Sequence, residues 1–157
     1  MDPDNLVRLA LVKALQGGLA FETFNEIVAE IPVDSRFSVP AGQGRSAWQI
    51  VEHMGRTLDD LVEFTDNANG AYHEKNWPED YWPNQANPED PSEWEHSLER
   101  YRAASTRMES LVLDPGHDLS APFPWGEGQT LLHEVLLAIS HTAYHLGELV
   151  ELTALSH

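Results

Sequence analysis

Apolar residues recur every three or four positions in four long stretches of the chain, the spacing of helices that each bury one face. The first stretch opens after Pro3, a residue suited to a helix's first turn, and runs LVRLALVKALQGGLAFETFNEIVAEI to a stop at Pro32. Gly17 and Gly18 fall inside it, where each glycine costs about 1 kcal/mol relative to alanine, so the pattern predicts a kink or a close helix contact. Residues 33–45 hold a proline and two glycines without a sustained period, and read as a long but ordered connecting loop. Ser46 begins the second helix with a capping box: its hydroxyl accepts from the Gln49 backbone while the Gln49 side chain reaches back. That helix extends to about Asn67, with an expected inward face of Gln49, Ile50, His53, Thr57, Asp60, Leu61 and Phe64.

Between Asn67 and Pro91 the sequence is rich in proline and carries WPEDYW, a pattern neither helical nor strand-like and too aromatic for a plain linker. It reads as an ordered lid whose Trp77, Tyr81 and Trp82 cover one end of the molecule. Ser92 and Glu95 offer a second capping box, and WEHSLERYRAASTRMESLVL follows as a helix until Pro115-Gly116. Its apolar contacts are expected from Trp94, Leu98, Tyr101, Met108, Leu111 and Val112. DLSAPFPWGEGQ is then a loop, with Trp125 a candidate pocket wall, and Thr130–Leu155 is the last helix. Four helical patterns and no strand predict an all-α four-helix bundle, a single domain over residues 1–157. Its long connections allow a topology other than up-and-down.

Charge narrows the partners. With 9 Lys and Arg against 26 Asp and Glu, the formal charge of -17 disfavours phosphate backbones and anionic membrane surfaces alike. No apolar run approaches the roughly 20 residues needed to span a bilayer, and MDPDN has neither the basic start nor the apolar run of a secretory signal. No nucleic acid, no membrane and a cytoplasmic location are the expectations. Cysteine is absent, so disulfides, thiolate metal sites and a cysteine nucleophile are excluded; eight histidines and the carboxylates remain as ligands.

Two of those histidines stand at ligand spacing in the last helix. His141 and His145 are four residues apart, about 400° of rotation, which puts both imidazoles on one face one turn apart. Glu134, Leu137, Ala138, Tyr144, Glu148 and Leu152 are expected on the same face. Polar groups interrupting a core stripe are costly unless something binds them. His53, on the inward face of the second helix, is the natural third ligand, and three neutral imidazoles from two helices can cap a zinc, nickel or iron ion while leaving positions open. The competing reading is three histidines hydrogen-bonded within the core. Glu148 and Glu134 are candidates for a fourth ligand or for an outer acceptor of an imidazole N–H; Thr57 and Asp60 share that ambiguity. His133 lies about 80° away around its helix and is expected to face a neighbour or solvent, while His73, His96, His117 and His157 fall in loops, exposed positions or the terminus.

SAWQIVEHM around His53, WPEDYWP, PWGEGQTLLHE and above all SHTAYHLGEL make nearly the whole chain resemble the DinB-like superfamily of metal-binding four-helix bundles, which includes bacterial thiol-dependent transferases and maleylpyruvate isomerase. The resemblance implies a bundle, often a homodimer, with His53, His141 and His145 holding a divalent ion; some relatives use a low-molecular-weight thiol as co-substrate, while many have no established reaction. Two positions depart from the family pattern: Glu148 where many relatives carry glutamine, and Phe21 where a histidine is expected.

Two functions follow. In the first, the ion activates a small thiol or water against a small-molecule substrate, and Glu148 is the catalytic carboxylate that manages protons. In the second, the protein is a non-catalytic metal-binding or ligand-sensing bundle, acting as a dimer in stress response.

Overall fold

In the computed structural model, which describes residues 2–85 and 87–155, the glycine pair ends the first helix instead of bending it. Helix α1 (Pro3–Gln16) stops at Gly17, and a separate short helix α2 (Phe24–Ala29) follows. Both glycines have positive φ, 79° and 75°, which a side chain would strain. A Cβ on Gly17 would also stand 3.3 Å from the Thr23 backbone. Helix α2 opens with a capping box that the continuous-helix reading overlooked: Glu26 accepts from the Thr23 N–H at 2.8 Å, and the Thr23 hydroxyl accepts from the Glu26 N–H. Phe21, between the two helices, packs on the core.

The remaining elements are a 3-10 turn (Val33–Ser35), α3 (Ala47–Thr65), α4 (Glu93–Leu113) and α5 (Leu131–Leu155). Among the described residues there is no strand, only an isolated bridge between Pro122 and Thr130. The Ser46–Gln49 capping box forms as expected at the start of α3. Its counterpart at Ser92 does not: Ser92 is already helical in backbone, its hydroxyl caps nothing, and Asp90 instead accepts from the Ser92 N–H at 2.8 Å. An aspartate two residues upstream therefore makes the turn that the serine was expected to make.

The four long helices form a bundle in which α3 touches α4 and α5, and α1 touches the same two. Helices α1 and α3 thus lie diagonally opposite, as do α4 and α5, and the chain crosses the bundle twice. Leu15, Val51, Met54, Val62, Met108, Val135 and Leu149 fill the centre, and Tyr101 stacks on Phe24 with ring centroids 4.0 Å apart. On the flank of α3 that faces α4, buried Glu52 accepts from Arg56 at 2.8 Å, Arg100 at 2.9 Å and Ser97 at 2.7 Å, which fixes α3 against α4. No helix of the described residues is long and apolar enough to cross a membrane.

Arg8 locks α1 to the end of α4. Its buried guanidinium donates to the carbonyls of Val112 at 2.7 Å, Asp114 at 3.1 Å and His117 at 2.7 Å, and pairs with Asp4 at 2.6 Å. Two of those carbonyls belong to the final turn of α4 and its cap, which have no partner inside the helix. Arg8→Leu takes the donor from the Val112 and His117 carbonyls, while Asp114 keeps the His117 N–H at 3.1 Å, and is expected to lower stability by about 2–4 kcal/mol, read as a shifted urea midpoint with unchanged slope.

Candidate metal centre

Three imidazoles from α3 and α5 converge in the core. The ligating nitrogens that His53, His141 and His145 offer all lie within 4.8 Å of one another, and His53 and His145 are buried while His141 is half-buried. His53 Nε2 and His141 Nε2 stand 3.0 Å apart across 88 residues of sequence. Two nitrogens each about 2.0–2.1 Å from one ion, at octahedral to tetrahedral angles, stand about 2.8–3.4 Å apart. An N–H···N hydrogen bond between neutral rings has the same length, but it would leave the inward nitrogen of His145 idle; a shared cation uses all three.

Two of the three rings are oriented from behind. His53 Nδ1 donates to the Tyr81 carbonyl at 3.0 Å, and His145 Nδ1 meets a carboxylate oxygen of Glu148 at 2.6 Å. Both partners fix the tautomer with the proton on Nδ1, so that Nε2 presents a lone pair to the cluster. Glu148 therefore stands as the outer acceptor of an imidazole N–H. Trp82 stacks on His53 with centroids 3.7 Å apart and planes within 5°, and the Arg45 guanidinium lies 3.6 Å over the same indole. Trp77 meets His53 edge-on, its own ring largely exposed. The aromatic segment thus covers the histidine cluster at mid-length of α5, not one end of the bundle. Asp60 ties it down by accepting from the Tyr81 hydroxyl at 2.6 Å, with Lys75 3.4 Å from its other oxygen. Thr57 reaches His53 Nδ1 only at 3.5 Å.

Other expected members lie elsewhere. Leu137 and Tyr144 are exposed, not inward, because the buried stripe of α5 is centred on Ala138, Thr142, Leu149 and Leu152. At roughly 100° per residue they fall about 100–120° from its centre line, whereas His141 sits on its edge. Glu134 is buried but does not join the histidines. Among the described residues no fourth His, Asp or Glu completes the group. His73, His96 and His133 are exposed, His117 is half-buried beside Asp114, and His157 lies outside the described residues. The roles of Arg45 and of the Tyr81 carbonyl went unread in the sequence: neither a backbone acceptor nor a stacking guanidinium has a spacing signature. Trp125 forms a pocket wall as expected: with Gly126, Glu127 and Gln129 it lines a cleft of about 660 Å³ that also reaches Asp60 on α3 and Leu137 on α5.

Burial holds all three imidazoles neutral. It brings His53 down to about 4, helped by the charges of His145, Arg45 and Arg56 and opposed by the Tyr81 carbonyl. His141 falls to about 3 through burial and its two neighbouring histidines. His145 is also lowered by burial, with Glu148 pulling the other way. Neutral imidazole is the form that binds a cation.

A helical bundle that gathers three neutral histidines around one point, with a carbonyl and a carboxylate orienting two of them, has a ligand set that could hold a divalent ion. The family model for the DinB superfamily matches residues 19–149, and the chain belongs to that superfamily. No curated protein and no solved structure matches the chain.

In the unfolded chain these histidines titrate near 6.5; in the fold His53 and His141 titrate near 4 and 3. Between those values the unfolded state binds more protons, so stability is complete above pH 6.5 and lost as pH falls toward 4. Chelator-treated protein is expected to show a urea midpoint that drops over this window, and the combined His53→Gln, His141→Gln variant is expected to flatten the drop.

Proposed function

We propose that this bundle is a divalent-metal-dependent enzyme that activates a low-molecular-weight thiol, or water, at His53, His141 and His145, in the manner of a thiol transferase. The observation that carries the reading is three converging ligands without a fourth among the described residues: a closed structural site takes four, while a catalytic site keeps a position free for an outside molecule. Zinc, nickel and iron all suit a set of three imidazoles. A bound divalent cation deprotonates a coordinated thiol and brings coordinated water near pH 7. Such chemistry needs no protein nucleophile, in keeping with a chain that has no cysteine.

The chain's own groups supply orientation and proton handling. Tyr81 and Trp82 hold His53 in one plane, so its lone pair stays aimed at the centre. Glu148 orients His145 and, being only part-buried, can pass a proton to solvent; it is the catalytic carboxylate of this proposal. A homodimer is part of the proposal as well. Leu136, Tyr144 and Val150 leave apolar surface exposed along α5, which a second copy would cover.

Zinc, nickel or iron(II) added to chelator-treated protein is expected to raise the melting temperature, and His53→Ala is expected to abolish that rise. Product formation from a small thiol and an electrophile should be lost with chelator and in His145→Ala. Glu148→Gln should retain the ion but lose about 10–100-fold in affinity or rate, as outer-shell changes do. Metal-loaded protein that is inert toward a broad panel of thiols and of hydrolysable esters and amides would sink the enzyme reading. Light scattering that finds only monomer would remove the dimer.

A further inference from the structure

The cleft beside the histidines contains a carboxylate that nothing in the protein satisfies. Glu134, in the first turn of α5, is 4 % exposed, lines the cleft, and receives no side-chain hydrogen bond or ion pair from any described residue. Burial pushes its carboxyl up, with Asp60 across the cleft adding to the rise and His133 opposing it. A first-turn carboxylate favours the helix dipole, but that role is served equally well at the surface and does not explain the burial. The Glu134 oxygens are not among the buried side-chain atoms left without a partner, so they open on the cleft, where an anion in a largely buried side chain is available to a partner from outside.

That partner is not a second metal. Among the described residues the only group of three or more side chains able to hold an ion is the histidine cluster. Nor is it Lys75, whose ammonium is engaged by Asp60 and by Glu63 at 2.8 Å. The walls describe a larger guest. Phe64 and Tyr72 meet edge-on at 5.3 Å, and the Trp125 indole donates to the Phe64 carbonyl at 2.8 Å, so three aromatic rings are held in place around the opening. Asp60, Glu74 and Glu127 line the same cleft as Glu134, with His133 the one basic lining residue.

We infer that this cleft is a binding site for an organic cation, an ammonium or guanidinium group carried on an apolar body, with Glu134 as its counter-ion and Tyr72, Phe64 and Trp125 as its walls. A carboxylate and aromatic rings lining one cleft are the two features that recognise such a group. A cleft of about 660 Å³ accepts a small molecule whole. The net charge of -17 draws cations toward it at long range. Leu137 lies one helical turn before His141, and Asp60 two turns after His53, so the cleft neighbours the histidines along both helices. Read with the proposed function, which this inference extends, the cleft selects substrates bearing a positive charge.

Titration calorimetry on the chelator-treated full-length chain tests this without any turnover. The probes are phenethylammonium, phenethyl alcohol and phenylacetate, which share one shape and differ in charge. The expected order is ammonium tighter than alcohol by about tenfold or more, with phenylacetate weakest. Glu134→Gln should reduce ammonium affinity to that of the alcohol and leave the alcohol unchanged. Its helical circular dichroism should be intact and its melting temperature equal or higher, since the variant removes a buried charge. Equal binding of ammonium and alcohol, no binding of any probe, or wild-type ammonium affinity in Glu134→Gln would each overturn the inference. The wild-type comparison stands without any variant. Because no metal is present, failure here leaves the metal reading intact, and success here does not depend on it.

Discussion

The structure depends on keeping three imidazoles uncharged and aimed at one point inside a hydrophobic bundle. Charged rings 3.0 Å apart would repel in a medium that screens poorly, and rings free to turn would not share a focus. Burial meets the first requirement for His53 and His141, whose proton affinity it lowers far below neutrality. Hydrogen bonds and stacking meet the second, from the Tyr81 carbonyl, from Glu148 and from the indole of Trp82. Much of the rest of the chain supports those two conditions.

The support runs through α3. Glu52 gathers Arg56, Arg100 and Ser97 on the flank of the helix that faces α4, and Ser97 in turn accepts from the Trp48 indole at 3.1 Å. Arg56 is shared between two tasks: it pairs with Glu52 and also donates to the carbonyls of Asp80 at 3.4 Å and Trp82 at 3.3 Å. The contact that sets α3 on α4 is therefore continuous with the contact that seats the aromatic lid. Gly55 lies at the same crossing, where a Cβ would come within 3.2 Å of the Arg100 side chain, so the close approach of the two helices is part of the arrangement.

How much of this was legible in the sequence follows from what each signal encodes. His141 and His145 were readable because four-residue spacing determines a shared helix face, and His53 because the same period put it inward. The Ser46–Gln49 cap was readable because both halves of that motif lie within one turn. Gly17-Gly18 was read as a bend because apolar spacing continues through it; only the positive φ of both residues shows a break, and Thr23-x-x-Glu26 was the signal that a new helix starts. Leu137 and Tyr144 share a helix face with His141, but His141 sits on the edge of the buried stripe while His145 lies within it, so residues beyond His141 face outward. Arg8, Arg45 and the Tyr81 carbonyl act on residues distant in sequence or through the backbone, and periodicity carries no trace of either.

The diagonal placement of successive helices has a consequence for assembly. His53 and His141 come from helices that touch in space but are separated by 88 residues, with both the lid and all of α4 between them. Closing so long a loop is entropically unfavourable until much of the bundle is in place, and contacts of that range form late in a folding chain. The imidazole cluster is thus absent from any partly collapsed intermediate that has not docked α5. The complete three-imidazole centre therefore exists only once α5 has docked on α3, so a cation held by all three rings seals the assembled bundle.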